Sequence, residues 1–384
     1  MEVKKYSNKD LFFALLRAGL WEQSDRLLFS GKESVALLRK SFAEVYKIAQ
    51  NQTVVGLICS GLAKTVGLSQ LRLTDDQYGQ LMGELMVIED RNKRMNEFIC
   101  DLMGKMSEAG IFALIIKGQG IAQCYEKSLW RSCGDVDLFL DAKNYEKAKK
   151  FFIPIASECE PEGKYSKHYG FIVKSWVVEL HGTLHCGLTS GIDRCLDDIQ
   201  RELFEKKMVR VWNNNGVEVS LPCPDDDVIF EFTHISNHFY KGGIGLRQIC
   251  DWCRLLWTYR DEIDVELLEK RIAKMRLKTI WKAFAAFVVD YLGMPVEAMP
   301  MYDSANRWKR KAKKLYRFIL AVGNFGQNRD MSYYSKYPYV VRKAMSLGRR
   351  VGDVCRHAGV FPVDSIRFLP SIVFHGVRNA ARGE

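Results

Sequence analysis

Apolar residues recur at intervals of three and four along the first hundred residues of the chain. The segments DLFFALLRAGL, SVALLRKSFAEVYKIA and YGQLMGELMVIEDRNKRMNEFICDLM all show this spacing, which places their apolar side chains on one face of a helix. The pattern therefore predicts a helical N-terminal region over residues 1–100.

The period changes after Gly110. IFALII is a compact apolar run of the kind found in a buried strand, and GQGIAQCYEK returns to helical spacing. GDVDLFL then alternates as a strand does, and NYEKAKKFF is helical again. This order of elements predicts an α+β fold.

Further strand-like segments follow. YGFIVKS and VVELHGT are joined only by the Ser175-Trp176 junction, so they form either a hairpin or one bent strand. VRVWNNNGVEVSL carries an Asn-Asn-Gly turn between two alternating runs, which is typical of a hairpin. We expect a mixed sheet with helices over residues 101–223.

Helices return after this core. Pro224, followed by Asp225, Asp226 and Asp227, precedes the apolar run VIFEFTHI, and acids in a first turn favour a helix start. Helical spacing continues to about residue 294, which predicts a helical region over residues 224–300 that completes a cleft.

The basic charge of the chain lies at its end. Residues 301–384 hold 17 Lys and Arg against 5 Asp and Glu, a net charge of +12, whereas the chain as a whole carries +11. Basic residues interleaved with apolar ones suit an anionic membrane surface, and basic-aromatic interleaving also suits nucleic acid. A solvated basic helix is the third alternative, and the sequence leaves all three open.

Composition favours a cytoplasmic protein. The N-terminus lacks the order of charged, apolar and small residues of a signal peptide. The longest apolar stretch, IWKAFAAFVVDYLGM, contains Lys282 and Asp290 and is too short to be a transmembrane segment. Eleven scattered cysteines fit reduced thiols. We therefore expect a cytoplasmic location, with a peripheral contact at the inner membrane face through residues 301–384 as the open alternative.

The strand GDVDLFL carries the first candidate chemistry. Asp135 and Asp137 are two residues apart, so both carboxylates project to one side of a strand while Val136 and Leu138 face the core. Two such carboxylates repel each other unless a cation lies between them. Oxygen ligands favour Mg²⁺ or Mn²⁺, completed by substrate phosphates, which indicates phosphoryl or nucleotidyl transfer.

The preceding turn adds candidate phosphate ligands. Gly118 and Gln119 stand where a predicted strand ends and a helix begins, a position at which backbone N–H groups hold phosphate. Lys117 and Arg131 would supply cations, and the guanidinium offers the bidentate geometry that phosphate prefers. Each of these signals alone is common at protein surfaces.

Taken in order, these residues resemble a known family. An apolar strand ending in Lys-Gly, a helix with Tyr, and then Arg-x-x-Gly-Asp-Val-Asp-Leu are similar to an uncharacterised, stand-alone bacterial nucleotidyltransferase family with a DNA polymerase β-like fold. The resemblance implies that Gly118 and Gln119, with Gly134, lie at the nucleotide phosphates. It implies that Asp135 and Asp137 bind metal, and that Glu179 of VVELHGT is the third carboxylate. Gln119 departs from the small residue usual at this turn.

The resemblance covers residues 100–260. It extends to THISNHFYKGGIGLRQICDWCRLL, in which His234, His238, Arg247 and Asp251 are expected to line the pocket. His181, two residues after Glu179, is expected on the same side of its strand. An intrahelical pair between Arg247 and Asp251 is expected from their spacing of four.

The resemblance implies a Mg²⁺- or Mn²⁺-dependent transfer of a nucleoside monophosphate from an NTP to an acceptor hydroxyl. A lipid-linked saccharide, RNA and a protein are the acceptor classes left open. The alternative function is a non-catalytic binding or scaffold protein of the same fold that docks through its basic region.

A structural zinc site is a weaker alternative. Three sets of residues have spacings that suit zinc ligands, namely His181 with His185 and Cys186, His234 with His238, and Cys250 with Cys253. None of them forms a complete set of four ligands along the sequence.

Overall fold

The computed structural model describes residues 6–22, 31–160, 168–326 and 336–381. Of the basic region predicted over residues 301–384, residues 327–335 and 382–384 lie outside this description.

The N-terminal region is helical, as its periodicity predicted. Ser7 and Asp10 form a capping box at the first helix, and Thr74 and Gln77 form another at the fifth, which satisfies backbone N–H groups that have no partner within the helix. The fifth helix continues past residue 100, where the sequence placed a boundary. The five helices are α1 (Asn8–Leu20), α2 (Lys32–Asn51), α3 (Val55–Thr65), α4 (Leu68–Leu71) and α5 (Asp75–Glu108).

Glycines let α1 and α3 approach closely. A Cβ added to Gly19 would lie 1.9 Å from the carbonyl oxygen of Leu57, and one added to Gly61 would lie 2.0 Å from that of Leu15. No side chain fits at either position, so the two backbones are in direct contact.

A five-stranded mixed sheet follows, in the spatial order β1-β2-β5-β4-β3. β2 and β5 are parallel, whereas β1 with β2, β5 with β4, and β4 with β3 are antiparallel. The sheet makes the chain an α+β protein, as predicted. The strands are β1 (Leu114–Ile116), β2 (Asp135–Phe139), β3 (Glu158–Cys159), β4 (His168–Val173) and β5 (Trp176–His181), with helices α6 (Gly118–Ala122) and α7 (Ala142–Phe152) between them.

The two faces of this sheet differ. Val136 and Leu138 of β2 pack with Phe98 and Leu102 of α5 and with Phe152 of α7 in an apolar layer. Alternation along the strand then turns the neighbouring residues of β2 to the opposite face. One face of the sheet is therefore apolar and packed on helices, and the opposite face is polar.

Two hairpins follow the predicted segments. Lys174 and Ser175 both have positive φ between β4 and β5, the conformation of a tight two-residue hairpin turn, so the alternative of one bent strand is wrong. Asn215 and Gly216 make the same turn in the predicted Asn-Asn-Gly hairpin. Its strands are β6 (Val209–Asn214) and β7 (Val217–Pro222), preceded by α8 (Ser190–Lys206).

The C-terminal part is helical. Pro224 and three acids occupy the first turn of α9, as the sequence predicted. The helices of the basic region are not a detached tail, because Leu315, Phe361 and Phe368 belong to the same buried cluster as Phe239 of α9. The helices are α9 (Pro224–Lys241), α10 (Leu246–Thr258), α11 (Val265–Lys274), α12 (Lys278–Leu292), α13 (Asn306–Val322), α14 (Tyr339–Ala358) and α15 (Pro362–Ala381).

None of the helices described has the length and apolar character needed to cross a membrane.

Candidate active site

Three predicted acids lie on the polar face of the sheet. In the parallel register of β2 and β5, Asp137 stands directly opposite Glu179, and Asp135 stands opposite Val177. Because side chains alternate along a strand, Asp135, Asp137 and Glu179 project to one face, with His181 beside them. We call these four residues the sheet wall.

Hydrogen bonds and ion pairs hold the sheet wall together. The Nε2 atom of His181 lies 2.7 Å from Oδ1 of Asp137 and 3.4 Å from Oε2 of Glu179. The Nζ atom of Lys117 lies 3.4 Å from the same Asp137 oxygen. The buried carboxylate of Asp137 is therefore paired with two nitrogen groups.

This pairing shifts the pKa values of the three carboxyl groups in different directions. Burial acts to raise the pKa of Asp137, but Lys117 and the hydrogen bond from His181 outweigh it, and the pKa lies well below its usual value. Burial likewise opposes ionisation of Glu179, and the hydrogen bond from His181 lowers its pKa overall. Asp135 differs, since burial and then its neighbour Asp137 raise its pKa.

The imidazole of His181 is stabilised in its charged form. Burial acts to lower the pKa of His181, but the hydrogen bonds to Asp137 and Glu179 outweigh it and raise the pKa above its ordinary value. Lys117 responds in the same way to Asp137 and the nearby acids. The cationic side chains of His181 and Lys117 therefore compensate the negative charge of the ionised acids in the sheet wall.

The turn before α6 gives Lys117 its position. Lys117 has φ 54°, and Gly118 has φ 40°, in the region that side chains avoid. A Cβ at Gly118 would also lie 3.2 Å from Sγ of Cys133. Glycine at 118 thus allows the sharp change of direction that places Lys117 beside Asp137.

Two residues implied as phosphate ligands lie elsewhere. The Gln119 side chain is buried away from the cavity described below and donates from Nε2 to Oδ1 of Asn92 at 2.7 Å. Gly134 is not among the cavity-lining residues, and its carbonyl accepts a bond from Arg91 at 3.1 Å. The polar side chain of Gln119 instead fastens the turn to α5.

Arg131 forms a buried ion pair. Its Nε and Nη2 atoms donate to the two oxygens of Asp251 at 3.0 and 2.6 Å, and Tyr125 donates to the same carboxylate at 2.7 Å. The expected pair between Arg247 and Asp251 is corrected, because Arg247 instead donates to the carbonyl of Ser132 at 2.9 Å. A bidentate buried partner binds the carboxylate better than an intrahelical neighbour does.

A cavity of about 380 Å³ lies between the sheet wall and helices α9 and α10. We call the opposite side, formed by Glu231, His234, Asn237, Arg247 and Gln248, the helix wall. The predicted residues that line the cavity are Lys117, Gly118, Arg131, Asp135, Asp137, Glu179, His181, His234, His238, Arg247 and Asp251.

The cysteine pair proposed for zinc is packed in the core. Cys250 and Cys253 are fully buried on α10, and burial raises the pKa of both thiols. Within the ranges that the structure describes, the one group of three metal-ligating residues is His168, Glu179 and His181, whose ligand atoms lie within 4.8 Å of one another. None of the three predicted zinc sets is complete in it.

His168 is a candidate ligand that sequence reasoning missed. It begins β4 and lies directly opposite His181 in the hairpin register. The predicted strand began one residue later, at Tyr169, so His168 was not placed on the same face. Extending the alternation by one residue would have found it.

Glu231 was also missed. It lines the cavity almost completely buried, and burial, followed by the nearby charges of Asp251 and Asp227, raises its pKa to about 8. The spacing of Asp227, Glu231, His234 and His238 by three or four residues was the available signal, since it places them on one face of α9.

One of the comparisons with known proteins identifies a family. A family model described as an uncharacterised nucleotidyltransferase matches residues 40–293. The chain belongs to this family. The match runs from α2 through α12, so it includes the sheet wall and the helix wall, and it extends beyond the residues 100–260 that the sequence motifs covered. Family membership supports a transferase that acts on a nucleotide. No curated protein and no solved structure matches the chain.

Proposed function

We propose that the protein is a Mg²⁺- or Mn²⁺-dependent nucleotidyltransferase that moves a nucleoside monophosphate from an NTP to an acceptor hydroxyl. The observation that carries this proposal is the register that sets Asp137 beside Glu179, with Asp135 on the same face of one cavity. Membership of a nucleotidyltransferase family supports the nucleotide as the substrate.

The carboxylates of the sheet wall are chemically suited to a divalent cation, and Glu179 also belongs with His168 and His181 to the group of ligand atoms that lie within 4.8 Å of one another. Asp135, Asp137 and Glu179 would hold the cation through carboxylate oxygens, the ligands that Mg²⁺ and Mn²⁺ prefer. A bound cation would take over part of the charge compensation that His181 and Lys117 give to Asp137. One or two bound ions would neutralise the triphosphate and polarise its phosphorus centre.

The roles of the chain's own groups follow from their charges. Glu179, whose pKa is lowered, is ionised at neutral pH and would accept the proton of the acceptor hydroxyl. The acceptor oxygen then bonds to the α-phosphorus, the bond from that phosphorus to the bridging oxygen breaks, and pyrophosphate leaves with the electron pair. Lys117 would bind phosphate oxygens, and His181 would keep Asp137 in position.

The test compares Asp137→Asn with Asp141→Asn. Asp141 caps α7 by accepting from the backbone of Asn144 at 2.7 Å and does not line the cavity, so it is a matched control. We expect Mn²⁺ binding, measured by electron paramagnetic resonance, to be lost in Asp137→Asn and kept in Asp141→Asn.

Turnover provides the second readout. Pyrophosphate release from each of four NTPs with Mg²⁺ is measured while a lipid-linked saccharide, RNA or protein is offered as acceptor. Release that requires Asp137 supports the proposal. Equal release by wild type and Asp137→Asn contradicts it, and metal-dependent NTP binding with no release from any acceptor favours the non-catalytic binding protein.

For the acceptor we propose a molecule at an anionic membrane surface. The outer face of α13 exposes Lys309, Arg310 and Lys313, and each basic residue near an anionic leaflet is worth about 1 kcal/mol. On α15, Val363 is 74% and Ile366 73% exposed. Apolar side chains exposed on a helix beside a basic one suit a lipid interface better than a purely phosphate partner.

Vesicle co-sedimentation tests this contact. Truncation at residue 300 is unsuitable because α13 and α15 contribute to the buried core, so point variants are needed. We expect binding to vesicles containing phosphatidylserine, and its loss in Lys309→Glu/Arg310→Glu/Lys313→Glu. Retained binding in that variant, or binding to RNA but not to vesicles, contradicts the membrane proposal.

A further inference from the structure

The helix wall carries polar atoms that the protein itself leaves without partners. Oδ1 of Asn237, Nε of Arg247 and Oε1 of Gln248 are buried and have no hydrogen-bond partner within the residues that the structure describes. All three side chains line the cavity. Buried polar atoms are normally paired, so three orphaned ones along one wall point to a ligand.

The amide of Gln248 has a fixed orientation. Its Nε2 atom donates to Oδ1 of Asn324 at 3.1 Å, and Asn324 in turn donates to Oγ1 of Thr53 at 2.9 Å. Gln248 is 4% exposed. Its remaining oxygen can therefore only accept a hydrogen bond, and the residue that carries it lines the cavity.

The orphaned atoms make a defined pattern. Asn237 and Gln248 each offer an acceptor oxygen, and Arg247 offers a donor. An exocyclic amino group carries two N–H donors on one nitrogen, and the neighbouring ring nitrogen or carbonyl is an acceptor. Adenine, guanine and cytosine carry such an amino group, whereas uracil does not.

The histidines of α9 add a surface for a planar ring. His234 and His238 lie on the same side of the helix with ring centroids 4.3 Å apart, and both line the cavity. Bases stack on aromatic side chains, histidine among them. Aromatic rings next to the uncharged amides of Asn237 and Gln248 suit a base better than they suit a phosphate.

The helix wall also borders the side of the cavity proposed for the phosphates. Arg247 donates to the carbonyl of Ser132, three residues before Asp135, so the helix wall adjoins the sheet wall. A nucleotide with its phosphates at Asp135 and Asp137 and its base at Gln248 would span the one cavity that these residues line.

We propose that Asn237, Arg247 and Gln248 form a nucleobase subsite that selects NTPs whose base carries an exocyclic amino group over UTP. This inference rests on the proposed function. It assigns base selection to residues that play no part in metal binding.

Equilibrium binding tests the proposal without turnover. The α,β-methylene analogues of ATP, GTP, CTP and UTP, and inorganic tripolyphosphate as the probe that lacks a base, are titrated by calorimetry into the full chain with Mg²⁺. We expect at least one amino-bearing analogue to bind about tenfold or more tightly than the UTP analogue, since a hydrogen bond lost at a buried site costs about this factor.

Two variants and a control test whether Gln248 and Asn237 cause the preference for amino-bearing bases. Gln248→Leu and Asn237→Leu each remove one acceptor, and each should reduce the preference over UTP about tenfold while tripolyphosphate affinity stays unchanged. Gln50→Leu makes the same chemical change on α2, outside the cavity, and should leave the preference intact. Thermal unfolding confirms that each variant is folded.

The outcomes separate the two proposals. If the analogues bind but the four bases bind alike, or if neither variant alters the preference, the subsite is wrong while the nucleotidyltransferase proposal stands. If neither the analogues nor tripolyphosphate bind the wild type with Mg²⁺, both proposals fail. A loss of tripolyphosphate affinity in Gln248→Leu equal to the loss of NTP affinity would also overturn the subsite, since it would indicate a general structural effect.

Discussion

The two walls of the cavity handle buried polar groups in opposite ways. On the sheet wall two of the three carboxylates share a donor, since His181 bridges Asp137 and Glu179. On the helix wall the oxygens of Asn237 and Gln248 have no partner among the described residues.

This contrast follows from the different free-energy costs of burying charged and uncharged groups without a partner. A charged group buried without compensation is costly, and Asp137 and Glu179 are accordingly paired with His181 within the protein. An uncharged amide costs far less to leave unpaired, so it can stay without a partner in the ligand-free protein. The sheet wall is thus suited to a cation and the helix wall to an uncharged group.

The largest expected effect comes from removing the buried ion pair that connects the strand side of the cavity to α10. Arg131 precedes β2, and its partner Asp251 lies on α10. Arg131→Leu leaves a buried carboxylate without its cation, and we expect the free energy of unfolding to fall by about 3–5 kcal/mol in urea denaturation.

Two further variants control for this effect. Arg94→Leu removes an exposed pair with Asp90 and should cost at most about 1 kcal/mol. The double variant Arg131→Leu/Asp251→Leu should recover part of the lost stability, because no unpaired charge remains. A single variant as stable as the wild type would show that the link does not hold the walls together.

The next effect concerns the one titrating acid of the helix wall. Burial raises the pKa of Glu231 from its ordinary value of 4.5 to about 8, so its carboxyl group stays protonated in the fold where the unfolded chain is ionised. Stability present below pH 4.5 is therefore lost as pH rises, by about 1.4 kcal/mol per pH unit until the folded pKa is reached.

Glu231→Gln removes this dependence. Between pH 6 and 7.5 the wild type should lose about 2 kcal/mol more than the variant, measured by urea denaturation without divalent metal. Asp261→Asn, at an exposed acid, should follow the wild-type profile. Parallel profiles for wild type and Glu231→Gln would mean that Glu231 is ionised in the fold.

A smaller effect tests the self-pairing of the sheet wall. His181→Phe removes the donor shared by Asp137 and Glu179, and we expect stability to fall by about 1–3 kcal/mol without metal. Millimolar Mg²⁺ should raise the melting temperature of the variant more than that of the wild type, since a cation can replace the lost donor. His185→Phe, at a more exposed histidine, should show neither effect.

The smallest effect has the opposite sign. Oγ1 of Thr183 is buried at the cavity without a partner in the described part of the chain. Thr183→Val keeps the shape and removes that atom, so we expect stability to be unchanged or to rise by about 0.5 kcal/mol. A clear loss in thermal unfolding would show that the hydroxyl is paired after all.

The sequence was sufficient for features that depend on local period. The alternation of GDVDLFL put Asp135 and Asp137 on one face, and the Asn-Gly turn predicted the β6–β7 hairpin. The pairing of Asp137 with Glu179 came only through the family resemblance, because strand order is a long-range property that spacing does not encode.

Other features depend on which of several possible partners a side chain binds, and sequence spacing cannot rank those partners. The spacing of four between Arg247 and Asp251 favours an ion pair, yet Arg131, 120 residues away along the chain, takes that carboxylate with two bonds. Gln119 was expected at phosphate because of its place in the turn, but its partner is Asn92 on a helix that precedes the motif. Such choices depend on which groups tertiary packing brings together.

Helix α5 sets a practical limit on how the chain can be divided. It has 34 residues and is about 50 Å long, with Leu81 in one buried cluster and Phe98 in the other. Midway, Asn92 donates to the carbonyl of Arg131 and accepts from Gln119. A recombinant fragment begun at residue 101 would lack this support, so the shortest soluble product should begin upstream of α5.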